Sequence, residues 1–403
     1  MRGKYDDTVD TNFGDDVMAI NKLRFSSLLF FALAVIALSG WIFPLVAESA
    51  DKEDKQRPKI GLVLGGGGAK GTAHIGVLKV LEELHIPVDY IAGTSMGAIV
   101  GSLYASGLSP DEIEKALTSV DWDDLFTGDP NRQDRDFWRK REDFLFLSPL
   151  RLGVRDGKIL LPKGLVKDQK INVLFEMLML HASEIKDFDQ LPIPFRAIAS
   201  DIETGEMVVL KSGRLADAAR ASMSVPGAFP PIELDGKILI DGGIVRNVPV
   251  DIVREMGADI IICIDVGKPL LKREKLEDPL SIMNQMLDIM MRKNVQDQIE
   301  TLGPEDVYIN PDLGDLESGD FARGAEGSRM GEDAARKSIA GLSRYSIPAA
   351  EYAAYMEKKH REPVEEVKIA SMNVEVEGQS KISSEAVADR IELQEGDTVD
   401  IER

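Results

Sequence analysis

At 403 residues the chain is long for one domain, and its 44% hydrophobic and 29% charged residues suit a globular protein with a sizeable core. A formal net charge of −21 argues against a nucleic-acid partner, which needs clustered Lys and Arg, and against long-range attraction to anionic membranes. The single cysteine, Cys263, excludes an internal disulfide and a cysteine-rich metal site; within Ile260-Ile-Ile-Cys-Ile264 it reads as a small buried hydrophobe.

Residues 1–50 read as an N-terminal extension with a signal peptide or anchor. No charge falls between Phe25 and Ala47, Lys22 and Arg24 precede that run, and small residues lie at Ala47–Ala50. The run is long enough to span a bilayer if uncleaved. Asp6, Asp7, Asp10, Asp15 and Asp16 make the first residues acidic, so Met18 is the better start of a basic leader. Export is the expectation.

Beyond residue 58, strands are predicted at Lys59–Leu64, Val88–Ala92, Phe195–Ser200, Met207–Lys211, Lys237–Ile240, Ile260–Val266 and Asp306–Asn310. Helical patterns lie between them, at Ala69–Leu84, after Ser95, and around 168–181, 214–222, 249–256, 279–301 and 329–342. Such alternation predicts an α/β fold with a mostly parallel central sheet and helices on both faces. A charged stretch between Tyr345 and Glu366 sets a domain boundary, giving a main domain over 58–345. Two segments invite a lipid reading. Asp136–Leu147 mixes aromatic and basic residues and suits either a structural loop or a membrane contact. The Met-rich run Ile282–Met291 has helical spacing and reads as core rather than as an acyl-chain groove.

Three motifs carry chemistry. Gly93-Thr-Ser-Met-Gly97 lies between a predicted strand and helix, the setting in which a sharp turn projects the Ser95 hydroxyl into a cleft. Gly65-Gly-Gly-Gly-Ala-Lys-Gly71 follows the first strand, and its N–H groups suit either an acyl oxyanion or a bound phosphate. The dinucleotide version is weakened because Asp89 precedes its strand rather than ending it, and the P-loop version because Gly71 follows Lys70. Lys70 reads as a surface or lip residue. Asp241-Gly-Gly243 ends a predicted strand with a carboxylate, although Asp-Gly is also a common turn. Only four histidines exist, His74, His85, His181 and His360. None has the placement of a triad base, and no metal-ligand cluster is visible.

A glycine-rich loop with Lys, then Gly-Thr-Ser-Met-Gly, then Asp-Gly-Gly is similar to the bacterial patatin-like phospholipases. Asp201-Ile-Glu-Thr-Gly-Glu206 and Arg220-Ala-Ser-Met-Ser-Val-Pro-Gly-Ala-Phe-Pro-Pro231 extend the resemblance, which covers roughly 58–344. It implies a three-layer patatin-like fold and cleavage of phospholipids or other acyl-ester lipids at a membrane surface. It further implies Ser95 as nucleophile, Asp241 as base, and Gly66, Gly67, Gly68 and Ala69 as the oxyanion loop, with no cofactor and no metal. An acyltransferase on the same dyad, or a nucleotide-binding module, are the other readings. Residues 367–403, with alternation from Val367 to Val376 and a helical pattern over Ser383–Leu393, resemble the opening half of a POTRA domain. That resemblance implies a periplasmic, outer-membrane or secreted protein.

Overall fold

The structure, a computed structural model, describes residues 57–127, 153–155, 158–160, 166, 169–267, 269–277, 279–359, 369–374, 394 and 396–397. Signal, anchor, aromatic–basic segment and His360 all lie outside the described residues, as does most of the POTRA-like segment. The chain divides into Met1–Arg57 and Pro58–Arg403, and the second unit is described here.

Ten strands are present among the described residues: β1 Ile60–Leu64, β2 Tyr90–Thr94, β3 Gly153–Arg155, β4 Lys158–Leu160, β5 Phe195–Asp201, β6 Met207–Leu210, β7 Ile232–Leu234, β8 Lys237–Asp241, β9 Ile260–Ile264 and β10 Val307–Ile309. Strands β3 and β4 form a separate hairpin. The others build one sheet in the order β10-β9-β1-β2-β5-β8-β7, with β6 also on β5. The run from β10 to β5 is parallel, while β6, β7 and β8 join antiparallel. Six helices matter to the site: α1 Ala73–Glu83, α2 Met96–Ala105, α3 Leu215–Ser222, α4 Pro279–Ile299, α5 Gly324–Lys337 and α6 Ala349–Lys359.

Continuous apolar strands such as Ile60–Leu64 and Ile260–Ile264 are buried throughout, because both faces of the sheet are covered. On one face, Leu62 and Leu64 join Ile75, Leu78 and Leu81 of α1 and Ile99 and Leu103 of α2 in the larger core. On the other, Val63, Ile261 and Cys263 meet Val250, Ile252 and Val253 of a short helix. Each such side chain contributes about 1.5–3 kcal/mol by leaving water. This is the three-layer α/β arrangement expected from the strand–helix alternation, and Cys263 is the buried hydrophobe it resembled in the sequence.

Three expectations change. The charged stretch after Tyr345 contains helix α6, which packs on the unit. Tyr352 is buried, the Tyr355 hydroxyl donates to the Val88 carbonyl at 3.0 Å, and Lys359 pairs with Glu82 at 2.8 Å over the ring of Tyr104. Charge on the outer face hid an inner face of aromatic anchors, so the packed unit runs at least to Lys359 rather than ending at 345. The strand expected from Val367 is absent over 369–374, where Ile369 instead exchanges backbone hydrogen bonds with Gly396 and Asp397. The Met-rich helix α4 is not core, since Ile282, Met283, Met286, Ile289 and Met290 are exposed. Its inner face carries Met291 and the amides of Asn294 and Gln298.

If α6 anchors the unit, Tyr352→Ala should lower stability by about 3 kcal/mol in chemical denaturation. Tyr352→Phe should cost nothing, because the Tyr352 hydroxyl is buried without a hydrogen-bond partner. Equal midpoints for wild type and Tyr352→Ala would contradict this packing.

Candidate active site

Strand register brings the two motifs together. On one edge of β5, β2 runs parallel as far as Thr94 opposite Ile198, and β8 runs antiparallel to end with Asp241 opposite Ala199. Two strand ends therefore meet head to head at adjacent rungs, and the next residue after Thr94 is Ser95.

Ser95 sits between β2 and α2 with φ 54 and ψ −124, a conformation a non-glycine residue seldom adopts. Its N–H donates to Ser222 Oγ at 2.9 Å, and that hydroxyl donates to the Ile198 carbonyl at 2.5 Å. Gly97 allows the turn to sit against β1, since a Cβ there would collide with the Leu64 carbonyl. The Asp241 carboxylate accepts a hydrogen bond from Gly243 N–H at 2.7 Å, and the nearby Ser95 side chain also favours its ionised form. Burial raises Asp241 to about 6, against the opposing pull of these two groups.

The glycine loop follows β1 and enters a 3₁₀ turn, Gly68–Thr72. Gly68 has φ 59, and a side chain there would strike the Ser318 carbonyl, so glycine is required. The loop lies against the serine: a Cβ placed on Gly66 would be 3.0 Å from the Ser95 Cβ. Its four candidate donors differ. Ala69 N–H is taken by the Ser318 carbonyl at 2.9 Å, and Gly66 N–H lies 3.4 Å from the Asn247 carbonyl. Gly67 and Gly68 N–H meet no acceptor among the described residues. The set of four is thereby reduced to two open donors.

Lys70 is buried, not a lip residue, and its side chain lies along the loop near Gly67. His74 is fully buried, with Nε2 2.7 Å from the Gly65 carbonyl, and burial lowers it to about 4, so it is neutral near pH 7. His85 stacks on Tyr352 and His181 bonds the Ser106 carbonyl, so neither reaches Asp241 or Ser95 as a base. Among the described residues, no group of three His, Cys, Asp or Glu is placed to hold a metal, and no helix is long and apolar enough to cross a membrane.

The two remaining motif blocks have structural tasks. Asp201 caps its own turn by accepting from Glu203 N–H and the Thr204 hydroxyl. Arg220 is buried and ties Asn172, Ser224 and the Pro230 carbonyl together, with Phe229 beneath its guanidinium. This arginine holds α3, and α3 presents Ser222 to Ser95. Ser222 and Asn247 were given no role on sequence. The available signals were the serine two residues after Arg220 and the asparagine six residues after Asp241.

Residues 62–254 match the family model described as patatin-like phospholipase. A patatin-like phospholipase domain-containing protein of Caenorhabditis elegans is 39% identical over 210 residues, covering 52% of this chain and 14% of that protein. Residues 62–254 are thus similar to a patatin-like phospholipase domain. Neuropathy target esterase sws of Drosophila melanogaster is 35% identical over 210 residues, again 52% of this chain and 13% of that protein. The chain thus spans about one-seventh of the length of these curated relatives. Among solved structures, VipD from Legionella pneumophila aligns over 72% of this chain and 67% of that one, at 16% identity and a TM-score of 0.39. The matched residues of the patatin-like domain include Ser95, Asp241, Gly66, Gly67, Gly68 and Ala69.

Ser222→Ala would leave the buried Ser95 N–H without its acceptor. A loss of about 1–3 kcal/mol in denaturant unfolding is expected. An unchanged stability would mean that Ser222 does not brace the turn.

Proposed function

We propose that the patatin-like domain is a serine lipid acyl hydrolase that cleaves phospholipid or other acyl esters through a Ser95–Asp241 dyad. The observation that carries this reading is the register that ends β2 and β8 at adjacent rungs of β5, which puts the Ser95 side chain beside the buried Asp241 carboxylate with no histidine between them among the described residues. Relatives named as phospholipase and esterase support it.

In this mechanism Asp241 takes the hydroxyl proton as Ser95 Oγ attacks the ester carbonyl carbon. The carbonyl oxygen becomes negative and is stabilised by Gly67 and Gly68 N–H; a donor of this kind is typically worth ~10²–10³ in rate. The tetrahedral adduct collapses, the alcohol leaves with the proton from Asp241, and Ser95 holds the acyl group. Water then gives a proton to Asp241 and attacks the acyl carbonyl; the fatty acid departs and the proton returns to Ser95. An acceptor alcohol in place of water would make the same site an acyltransferase. Met291 of α4 lies against Gly243, and the exposed apolar residues of the same helix offer acyl chains an approach. Export, a membrane surface and a bacterial setting are proposed from the leader-like and POTRA-like sequences alone.

On this mechanism Ser95→Ala and Asp241→Asn should each lower turnover of a soluble acyl ester by about 10³-fold or more while the protein stays folded. Substantial turnover in either folded variant would exclude the dyad.

Asp241 also predicts two opposite pH effects. As base it works ionised, so kcat/KM should rise through about pH 6 and level off above it. Its folded pKa lies above the ordinary value near 3.8, so the unfolded chain loses this proton first as pH rises. Stability should therefore fall between about pH 4 and 6 and stay lower. Asp241→Asn, which removes that penalty, should be more stable than wild type at pH 8 by up to about 3 kcal/mol. A variant equally stable or weaker at pH 8 would show that the carboxylate is not held against its charge.

A further inference from the structure

Resting on the acyl-hydrolase reading, we propose that His74 and Asn247 are positioning residues that together aim the oxyanion loop. The two side chains grip consecutive carbonyls. His74 Nε2–H donates to Gly65 O at 2.7 Å, and Asn247 Nδ2–H donates to Gly66 O at 3.2 Å. The acceptors are carbonyls, so the imidazole tautomer and the amide orientation follow from the contacts themselves.

Peptide planarity turns these grips into an aim. In a trans peptide the carbonyl and the following N–H point in opposite directions. Holding Gly66 O therefore fixes where Gly67 N–H points, away from the Asn247 amide. Holding Gly65 O likewise sets Gly66 N–H, which faces the Asn247 carbonyl. The loop ends are pinned as well, by Gly65 N–H on Ile264 O at 3.0 Å and Ala69 N–H on Ser318 O at 2.9 Å. The peptides on either side of Gly67–Gly68 are thus tethered, although four glycines in a row would otherwise be the loosest stretch of the chain.

Each gripping side chain is buried and bound to the frame. His74 projects from the first turn of α1 back onto the loop. Asn247 follows the Asp241 turn, and its backbone N–H is held by Asn294 of α4 at 3.1 Å. Its Oδ1 lies between Gly66 and Gly243, the two glycines beside Ser95 and Asp241. His74 is a poor choice for stability alone. Its Nδ1 is buried with no hydrogen-bond partner, an arrangement that costs about 1–3 kcal/mol and that leucine would avoid. The bond to Gly65 is what the imidazole provides in return. His74 thus contributes to turnover without titrating in the working pH range.

The test uses the full chain and a soluble acyl ester, p-nitrophenyl butyrate, with Ser95→Ala as the blank. His74→Leu and Asn247→Leu fill the space without a donor, and each should lower kcat by about 10- to 100-fold with KM within about twofold. His74→Gln can place an amide N–H near the position of Nε2 and should recover most of the loss. Asn247→Asp, which matches Asn in shape but offers Gly66 O no donor, should stay as slow as Asn247→Leu. Folded leucine variants that turn over like wild type would overturn the proposal. So would losses confined to KM or to thermal stability, failure of His74→Gln to recover activity, or insolubility of all four variants, since each makes these residues packing elements. Wild-type activity no greater than that of Ser95→Ala would instead remove the hydrolase reading, and this inference with it.

Discussion

Everything at the site depends on one edge of β5 being shared by two strands that approach from opposite directions. β2 arrives parallel and stops at Ile198; β8 arrives antiparallel and stops at Ala199. A serine following the first and an aspartate ending the second are then neighbours without any long side chain to bridge them. A triad must place a histidine between hydroxyl and carboxylate, whereas here the sheet closes that gap itself. On the proposed mechanism the mixed sheet is a functional feature: were β8 parallel to β5, its C-terminal aspartate would not meet the end of β2.

That closeness has an electrostatic cost. Asp241 is buried and receives a hydrogen bond from Gly243 with the Ser95 side chain close by, less than a buried carboxylate needs for full compensation. The result is a carboxylate more basic than an exposed one and better matched to accepting a hydroxyl proton. The strained φ of Ser95 belongs to the same economy of fit. Ser222 braces it, and Ser222 is held by a helix anchored through buried Arg220. Stability invested in the Arg220 network supports a turn and a carboxylate that are each unfavourable alone.

Much of this was legible in the sequence because periodicity and glycine placement report local geometry. The buried parallel strands, the serine turn and the aspartate at a strand end all have short-range signatures. What escaped depends on partners distant in sequence. Charge on α6 masked its buried Tyr352 and Lys359, and the apolar stripe of α4 read as core although its other face carries the contacts. Nothing local tells Ala69 N–H that Ser318 will claim it, or assigns Asn247 to Gly66. Two local signals were present but unused. Ser109-Pro-Asp-Glu112 forms a capping box at the start of Pro110–Thr118, and Asp235-Gly236, both at positive φ, turns β7 into β8.

The most direct measurement of the central claim is mass spectrometric mapping of the site modified by a fluorophosphonate, with the rate of modification followed across pH. A single adduct on Ser95, formed at a rate that rises with one ionisation near pH 6, is the expected result. An adduct on another residue, or a Ser95 rate governed by an ionisation that persists when Asp241 is replaced by Asn, would contradict a serine activated directly by a buried carboxylate.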